Sequence, residues 1–282
     1  MKNTKKILFY SIIALVCAAL LCTALILLSK ILPDKLPDIK MPDLSAMIPS
    51  LPTIQPEENV FTPLDFGYEG DYLTCLSAPS IRGIDVSTHQ KKINFKKVKE
   101  AGFEFVMIRL GYRGSIQGVL FEDEWAQKNY KAAKAAGLKV GGYFFSQSIS
   151  PEEAKEEAEY CMQIIQDWDV QMPIVYDWEF IQEGYRTDVV TARKLTDCTI
   201  AFCDTIEEAG YDSMVYFNPN QSRKKMHLEE LTDYGFWLAM YSDEMTYEYK
   251  VDMWQYTNKG KVPGVKGNVD INLYFPYEEE SS

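Results

Sequence analysis

The chain from residue 81 onward alternates short apolar segments with longer amphipathic ones. The apolar segments have the length of buried strands, and several of the amphipathic ones end at a glycine, as helices commonly do. Strand, helix and strand in this order predict parallel pairing through crossover connections. The predicted strands are 81–87, 103–110, 139–145, 173–179, 213–218, 236–241, 251–257 and 269–275, and the predicted helices are 95–101, 123–136, 151–168 and 191–209.

About eight strands in about 195 residues fit a closed barrel of the TIM type. Only a short helical segment, near residues 228–232, separates any of the later strands. We therefore predict the α/β class: an irregular TIM-like (β/α) barrel, formed by residues 81–282, whose last strands lack full crossover helices.

The predicted fourth strand ends with Asp177 and Glu179. Side chains alternate along a strand, so the two acids share one face and Trp178 takes the other. The acids repel each other, and apolar walls raise the pKa of at least one of them. That arrangement is typical of a glycosidase acid and its partner. A cation site or a pair of acids facing water fits the same residues.

Polar and aromatic side chains recur near the ends of other predicted strands, where barrel enzymes place their functional residues. They are Asp85, Tyr143, Tyr216, Trp254, Gln255 and Asp270. Each has an ordinary structural alternative, such as a turn cap for Asp85 or a polar turn for Asp270. Their recurrence at equivalent positions predicts an acidic, aromatic cleft at the mouth of the barrel.

The net charge and the histidine and cysteine content limit the classes of partner and cofactor that the protein can bind. A net charge of -12 argues against nucleic acid or an anionic membrane surface as an electrostatic partner. His89 and His227 lie in no ligand motif, and the cysteines show no metal spacing. We therefore expect no metal and no cofactor. His89 is expected to be a structural hydrogen-bonding residue. The sequence leaves open whether one disulfide forms outside the predicted membrane span.

The N-terminal part predicts a membrane anchor. Residues 1–6 include three lysines, and residues 7–29 carry no charge over a length that crosses a bilayer. No small-residue cleavage site follows, so we predict an uncleaved signal anchor with residues 1–6 in the cytoplasm and the rest of the chain outside the cell membrane. A cleaved signal is the alternative. Residues 30–80 are rich in proline and predict a semi-extended linker.

The motifs of the predicted barrel resemble glycoside hydrolase family 25, the muramidases that cleave peptidoglycan. The resemblance covers residues 81–275. It is carried by Gly83-Ile84-Asp85-Val86-Ser87 with His89-Gln90, Phe105-Val106-Met107-Ile108-Arg109 with Gly111-Tyr112, Ala136-Gly137-Leu138 leading to Gly142-Tyr143-Phe144-Phe145, Tyr176-Asp177-Trp178-Glu179, Met253-Trp254-Gln255-Tyr256 and Asn268-Val269-Asp270-Ile271-Asn272. One departure is Phe144, where some members carry a histidine, so no imidazole acts there.

The resemblance implies hydrolysis of the β-1,4 bond between N-acetylmuramic acid and N-acetylglucosamine in peptidoglycan glycan strands. By similarity, Glu179 is the general acid, Asp177 orients the 2-acetamido group, and Asp85 and Asp270 complete the acidic floor. The expected substrate-binding residues are Arg109, Tyr143, Trp178, Tyr216, Trp254 and Gln255, with Trp254 as a stacking wall.

Asp177 and Glu179 are too close in sequence to flank a sugar from opposite sides. This favours assistance by the acetamido group, with retention of configuration, over a separate carboxylate nucleophile. Two other functions fit parts of the pattern. One is a cell-wall glycan-binding module without catalysis, and the other is a chitinase-like hydrolase.

Overall fold

A computed structural model describes residues 55–276 of the protein. The predicted cytoplasmic segment 1–6, the anchor 7–29 and residues 30–54 of the linker lie outside the described residues. None of the helices within residues 55–276 combines the length and the apolar character needed to cross a bilayer.

The main sheet is a closed barrel of eight strands, which confirms the predicted fold. The strands of the chain are β1 (Phe66–Glu69), β2 (Tyr72–Cys75), β3 (Ile81–Val86), β4 (Phe105–Arg113), β5 (Leu120–Glu122), β6 (Lys139–Ser146), β7 (Ile174–Trp178), β8 (Ser213–Phe217), β9 (Gly235–Ala239), β10 (Met253–Gly260) and β11 (Val269–Tyr274). The barrel runs in the order β3, β4, β6, β7, β8, β9, β10 and β11, and β11 pairs with β3 to close it. β5 adds to the edge of β4 as an antiparallel hairpin partner.

Helices connect the first strands and become scarce toward the end of the barrel. They are α1 (Phe95–Glu100), α2 (Ala126–Ala135), α3 (Pro151–Ile165), α4 (Ala192–Glu208) and α5 (Pro219–Lys225). Ser150 caps α3 by accepting a hydrogen bond from the Glu153 amide, as the sequence predicts. The pattern did not predict α5, although Asn218 caps it and Pro219 opens it. No helix joins β9 to β10 or β10 to β11.

The last strand corrects the predicted topology. β11 runs antiparallel to both β10 and β3, whereas the other neighbouring strands of the barrel are parallel. The connection between β10 and β11 is too short for a helical crossover, so the chain turns back instead. Because β11 is reversed, its first residues lie beside the last residues of β3. Asp270 therefore reaches the mouth from the beginning of its strand, opposite Asp85.

Strand alternation divides the apolar residues into two cores. A small core fills the barrel with Phe105, Met107, Met172, Val175, Met214, Trp237 and Met253. A larger core includes the outward-facing strand residues and the apolar faces of the helices. Bulky residues in the interior require glycine on their neighbours: a Cβ on Gly83 would lie 2.3 Å from the Phe105 ring. The barrel is thus solid below a polar mouth.

Residues 55–80 correct the predicted domain boundary, because they pack on the barrel instead of continuing the linker. β1 and β2 form an antiparallel hairpin. The Phe66 ring lies 5.1 Å from the Trp254 ring, and the Phe61 ring lies 5.0 Å from the Phe275 ring. Phe66 and Leu73 are buried. The aromatic and apolar residues in this stretch therefore belong to the folded domain, which begins well before residue 81.

Candidate active site

The barrel mouth contains one polar cleft, and eight of the ten predicted site residues line it. The lining comprises Asp85, Ser87, His89, Gln90, Arg109, Tyr143, Phe145, Asp177, Glu179, Tyr216, Trp237, Tyr241, Gln255 and Asp270. The chain therefore brings together all four predicted carboxylates at the place expected from the strand ends.

Asp85 is the most heavily hydrogen-bonded acid of the cleft. Its Oδ2 accepts one hydrogen bond from Gln255 Nε2 and one from Asn272 Nδ2, each 2.9 Å long. The amides are oriented in turn, since Tyr216 and Tyr241 donate to Gln255 Oε1 at 2.9 and 3.1 Å. Trp237 Nε1 donates to Asn272 Oδ1 at 2.9 Å. This network fixes Asp85 at the floor of the cleft as a hydrogen-bond acceptor.

Asp270 faces Asp85 across the floor of the cleft, in the antiparallel register of β11 and β3. Burial, the negative charge of Asp85 and a hydrogen bond to Asp85 raise the pKa of Asp270 to about 8. Burial also raises the pKa of Asp85, while hydrogen bonds from Asn272, Gln255 and Asp270 oppose that effect. Asp270 is thus the protonated member at neutral pH and donates to the Asp85 carboxylate.

Asp177 and Glu179 project into the cleft from the end of β7, on the same side as expected. Burial and the neighbouring charges of Glu179 and Asp85 raise the pKa of Asp177 well above its usual value, and Arg109 opposes the shift. Burial and the charge of Asp85 raise the pKa of Glu179. Within the described residues, Asp177 Oδ1 is buried and has no hydrogen-bond partner. The pair therefore offers a proton donor and a free acceptor.

Two buried glutamines hold the backbone that carries Glu179. Gln147 Nε2 donates to the Glu179 carbonyl at 2.7 Å, and Gln221 Nε2 donates to the Trp178 carbonyl at 2.8 Å. Gln147 follows β6 and Gln221 lies in α5, so elements on both sides of β7 fix the position of the acid. The sequence did not predict a role for either glutamine. Each acts through a hydrogen bond to a main-chain carbonyl and does not line the cleft, so no strand-end pattern indicates it.

A buried ionic network holds the segment that contains Gln147. Arg113 Nε donates to Glu157 Oε1 at 2.6 Å, and Ser146 Oγ donates to Glu157 Oε2 at 2.6 Å. Glu157 is fully buried, and burial raises its pKa to about 7 despite Ser146 and Arg113. Ser148 Oγ lies 2.6 Å from the Tyr176 hydroxyl. Helix α3 is thereby bonded to the ends of β4 and β6.

Arg109 lines the cleft, but its guanidinium is already paired. Arg109 Nε donates to Asp123 Oδ2 at 2.8 Å, and the Asp123 side chain is fully buried. Asp123 also accepts from the backbone amides of Thr88 and Trp125. Asp123 therefore fixes Arg109 at the wall of the cleft, where its positive charge acts on Asp177.

Two predicted substrate-binding residues lie outside the cleft, which corrects their assignment. Trp178 is buried and donates its Nε1 proton to the Ser148 carbonyl at 3.2 Å. Trp254 is also buried and donates to the Met240 carbonyl at 2.7 Å. Each follows or precedes an inward-facing residue, so alternation turns both indoles toward the outer core. Trp254 is not a stacking wall.

Several cleft residues were missed as substrate contacts. Tyr241 follows β9 and is 55% exposed, and Trp237 lies on β9 in register with Tyr216. Strand alternation could have predicted that Trp237 faces the barrel interior, although a tryptophan in an apolar strand usually indicates core packing. Ser87, His89 and Gln90 follow β3 and line the cleft. His89 was expected to have a structural role, and its backbone amide donates to Ser87 Oγ.

One cluster of potential metal ligands lies outside the cleft. Among residues 55–276, His227, Glu229 and Glu230 have ligand atoms within 4.8 Å of one another. Arg193 already pairs with Glu230 at 2.5 Å. None of the three lines the cleft.

Comparisons with known proteins identify a family and relatives that share most of the barrel sequence range. The model of Glycosyl hydrolases family 25 matches residues 84–265. An autolytic lysozyme of Clostridium acetobutylicum is 26% identical over 195 residues, which make up 69% of this chain and 56% of the relative. The chain thus spans about half the length of that relative.

Solved structures share the fold. The autolysin LytC of Streptococcus pneumoniae, solved with a synthetic peptidoglycan ligand, has a TM-score of 0.61 and 26% identity over 70% of this chain and 47% of LytC. A family 25 glycosyl hydrolase of Bacillus anthracis has a TM-score of 0.58 and 24% identity over 71% of this chain and 91% of its own.

Proposed function

Because the chain belongs to glycosyl hydrolase family 25, we propose that it is a peptidoglycan muramidase that hydrolyses the β-1,4 bond between N-acetylmuramic acid and N-acetylglucosamine. The observation that carries the proposal is the pair at the end of β7. Glu179 has a raised pKa, and beside it Asp177 Oδ1 is a buried acceptor that no described residue occupies. Similarity to an autolytic lysozyme supports peptidoglycan as the substrate. So does similarity to LytC, which was solved in complex with a synthetic peptidoglycan ligand.

Glu179 is the general acid of the proposed reaction. Its raised pKa keeps the carboxyl protonated closer to neutral pH than an exposed glutamate. The proton passes to the glycosidic oxygen as the bond from that oxygen to C1 breaks, and the leaving sugar departs as an alcohol. Glu179 is then a carboxylate and serves as the base in the second step.

Asp177 orients the 2-acetamido group of the muramic sugar. Its Oδ1 accepts the acetamido N–H, and the acetamido carbonyl oxygen forms a bond to C1 as the leaving group departs. Water then attacks C1 and gives its proton to Glu179, which restores the acetamido group and the acid. Two displacements at C1 retain its configuration. Asp85 and Asp270 form the floor below the sugar, and Tyr143, Tyr216, Gln255 and Tyr241 surround it.

The direct test is digestion of purified peptidoglycan by the full chain and by its Glu179→Gln variant. Mass spectrometry of the products identifies the new reducing sugar. We expect reducing N-acetylmuramic acid from the parent and at least a hundredfold slower release from the variant. Binding without cleavage by both proteins would instead favour a glycan-binding module. Cleavage of chitin oligomers in preference to peptidoglycan would favour a chitinase-like hydrolase.

Retention is tested on the same products by proton NMR of the first sugar released. The β anomer at early times supports acetamido assistance, and the α anomer contradicts it. Asp177→Asn provides the matched variant, because it preserves the shape of the side chain and an acceptor oxygen while it removes the ionisable carboxyl group.

We also propose that residues 7–29 tether the enzyme to the outer face of the cell membrane, with residues 1–6 in the cytoplasm. The support is the uncharged stretch and the lysines before it. Expression of the full chain followed by alkaline carbonate extraction tests the tether. An anchored chain stays in the membrane pellet at full length, whereas release of a shortened chain shows cleavage.

A further inference from the structure

A second groove opens beside the catalytic cleft. It is lined by Thr88, His89, Arg109, Tyr112, Phe121, Glu122, Asp123, Glu124 and Phe145. Three of these residues, His89, Arg109 and Phe145, also line the cleft, so the two depressions are continuous. The groove has a volume of about 550 Å³, within the range of small-molecule sites.

An aromatic platform forms one wall of this groove. Tyr112 on β4 and Phe121 on β5 are directly opposite each other in the antiparallel register. Their rings are stacked, with centroids 5.1 Å apart and planes 22° from parallel. The Arg109 guanidinium lies 5.4 Å from the centre of the Tyr112 ring. Backbone pairing and stacking thus hold Phe121 in place while 44% of it stays exposed.

The chemistry around the platform matches a sugar ring. A pyranose has an apolar face of C–H groups and a rim of hydroxyls, so it stacks on an aromatic face and donates hydrogen bonds at its edge. Phe121 provides the face, and the exposed carboxylates of Glu122 and Glu124 provide acceptors at the rim. Asp123 provides none, because it is bonded to Arg109 and to two backbone amides.

Charge selects the kind of sugar. Glu122 and Glu124 repel a sugar whose substituent carries carboxylates, such as N-acetylmuramic acid with its lactyl or peptide arm, and they do not repel N-acetylglucosamine. We propose that the groove is a glycan subsite in which Phe121 stacks on an uncharged N-acetylhexosamine of the strand bound in the catalytic cleft. The subsite rests on the proposed function, because it requires a glycan strand that continues out of the cleft.

Binding is measured in the Glu179→Gln background, so that no probe is hydrolysed. The probes are chitin oligosaccharides of two to six N-acetylglucosamine units, titrated by calorimetry against the full chain. Affinity should rise in a step at the length that first reaches Phe121. Adding Phe121→Ala should abolish that step, a loss of about tenfold for the longer oligosaccharides.

Two further variants distinguish the loss of stacking on Phe121 from a nonspecific effect of substitution on the protein. Phe121→Trp retains an aromatic face and should keep the step in affinity. Leu64→Ala removes an exposed apolar side chain that lines neither groove and should change nothing. The proposal is wrong if the length dependence is the same in Phe121→Ala as in its parent, or if Phe121→Trp loses the step as completely as alanine does.

Hydrolysis gives an independent readout. With Glu179 intact, Phe121→Ala should raise KM on polymeric peptidoglycan about tenfold and leave kcat unchanged, since the ring lies away from the reacting atoms. Failure of the parent to release muropeptides counts against the proposed function. Normal release together with an unchanged KM in Phe121→Ala counts against the subsite alone.

Discussion

Asp270 lies opposite Asp85 in the antiparallel register of β11 and β3, and its carboxyl proton is donated to Asp85. The two acids come from strands at opposite ends of the domain sequence. Burial and the proximity of Asp85 raise the pKa of Asp270 to about 8, so Asp270 keeps its proton at neutral pH. The first prediction tests that shift in pKa.

Asp270 should make the protein less stable as pH rises. Its pKa is about 8 in the folded chain against a usual 3.8, so the folded chain binds more protons than the unfolded chain between these values. The contribution of Asp270 to the free energy of unfolding is fully present below about pH 4 and is lost as pH rises through 8. Asp270→Asn should flatten the decline by at most about 1.4 kcal/mol per pH unit. Urea unfolding from pH 4 to 9 measures it, and parallel curves for the two proteins would contradict it.

The charge of Asp85 should set the alkaline limit of activity. Its negative charge helps to raise the pKa of Glu179, and the rate falls as Glu179 loses its proton. Asp85→Asn keeps the shape of the side chain but removes the charge, so the Glu179 pKa falls and the alkaline limb of kcat/KM moves to lower pH. A pH–rate profile on soluble glycan strands measures the shift. A limb that stays in place in a variant with measurable activity would exclude this coupling.

Trp254 should matter for stability and not for substrate binding. Trp254→Phe removes the hydrogen bond to Met240 and part of the packing on Phe66, at a cost of about 1–3 kcal/mol of unfolding free energy. KM should not change. Tyr241→Ala, at an exposed residue of the cleft, should show the reverse: a raised KM and little loss of stability. Thermal unfolding and steady-state kinetics on both variants distinguish the two roles.

Glu157 should be among the costliest acids to replace. Glu157→Gln leaves Arg113 buried without its closest charged partner, and breaking such a pair costs about 3–5 kcal/mol. Glu156 also pairs with Arg113 but is 59% exposed, so Glu156→Gln should cost less than about 1 kcal/mol. Urea denaturation of the two variants at pH 8 compares them. Equal losses would show that burial does not govern the network.

The hairpin of β1 and β2 should be required for a stable domain. A chain that begins at residue 81 exposes the surfaces of Trp254 and Phe275 that Phe66 and Phe61 cover. We expect it to aggregate or to unfold at a much lower temperature, whereas a chain that begins at residue 55 keeps these contacts. Calorimetry of both fragments checks this. Equal melting temperatures would place the domain boundary at residue 81 after all.

The barrel could be predicted from the sequence because each strand and helix is indicated by a pattern within its own residues. Apolar periodicity, the Ser150–Pro151 start of α3 and the terminal glycines fix strands and helices one at a time. The direction of a strand is not local. β11 has the composition of any buried strand, and only the short connection from β10 and its pairing with β3 make it antiparallel. The prolines placed the hairpin before residue 81 in the predicted linker, although the aromatic residues of 61–75 indicated that this stretch could pack on the domain, as it does.

The acidic residues of the candidate site could be predicted from the sequence, whereas its aromatic residues could be predicted only in part. Four acids in or next to predicted apolar strands indicated a functional role, and all four line one cleft. Tryptophan gives no such signal, because it belongs equally to a core or to a binding wall. Trp254, predicted as a stacking wall, packs in the outer core, whereas Trp237, for which no role was predicted, lies in the barrel beside the cleft.

Closure of the barrel by β11 also affects when the enzyme can act. Asn272 and Asp85 are 187 positions apart, and β11 is the last strand to leave the ribosome. Until it inserts, Asp85 has neither its Asn272 donor nor its Asp270 partner, and the barrel is open along one side. A chain that lacks β11 therefore lacks the assembled floor of the cleft. Synthesis must reach the last residues of β11 before the four carboxyl groups can come together.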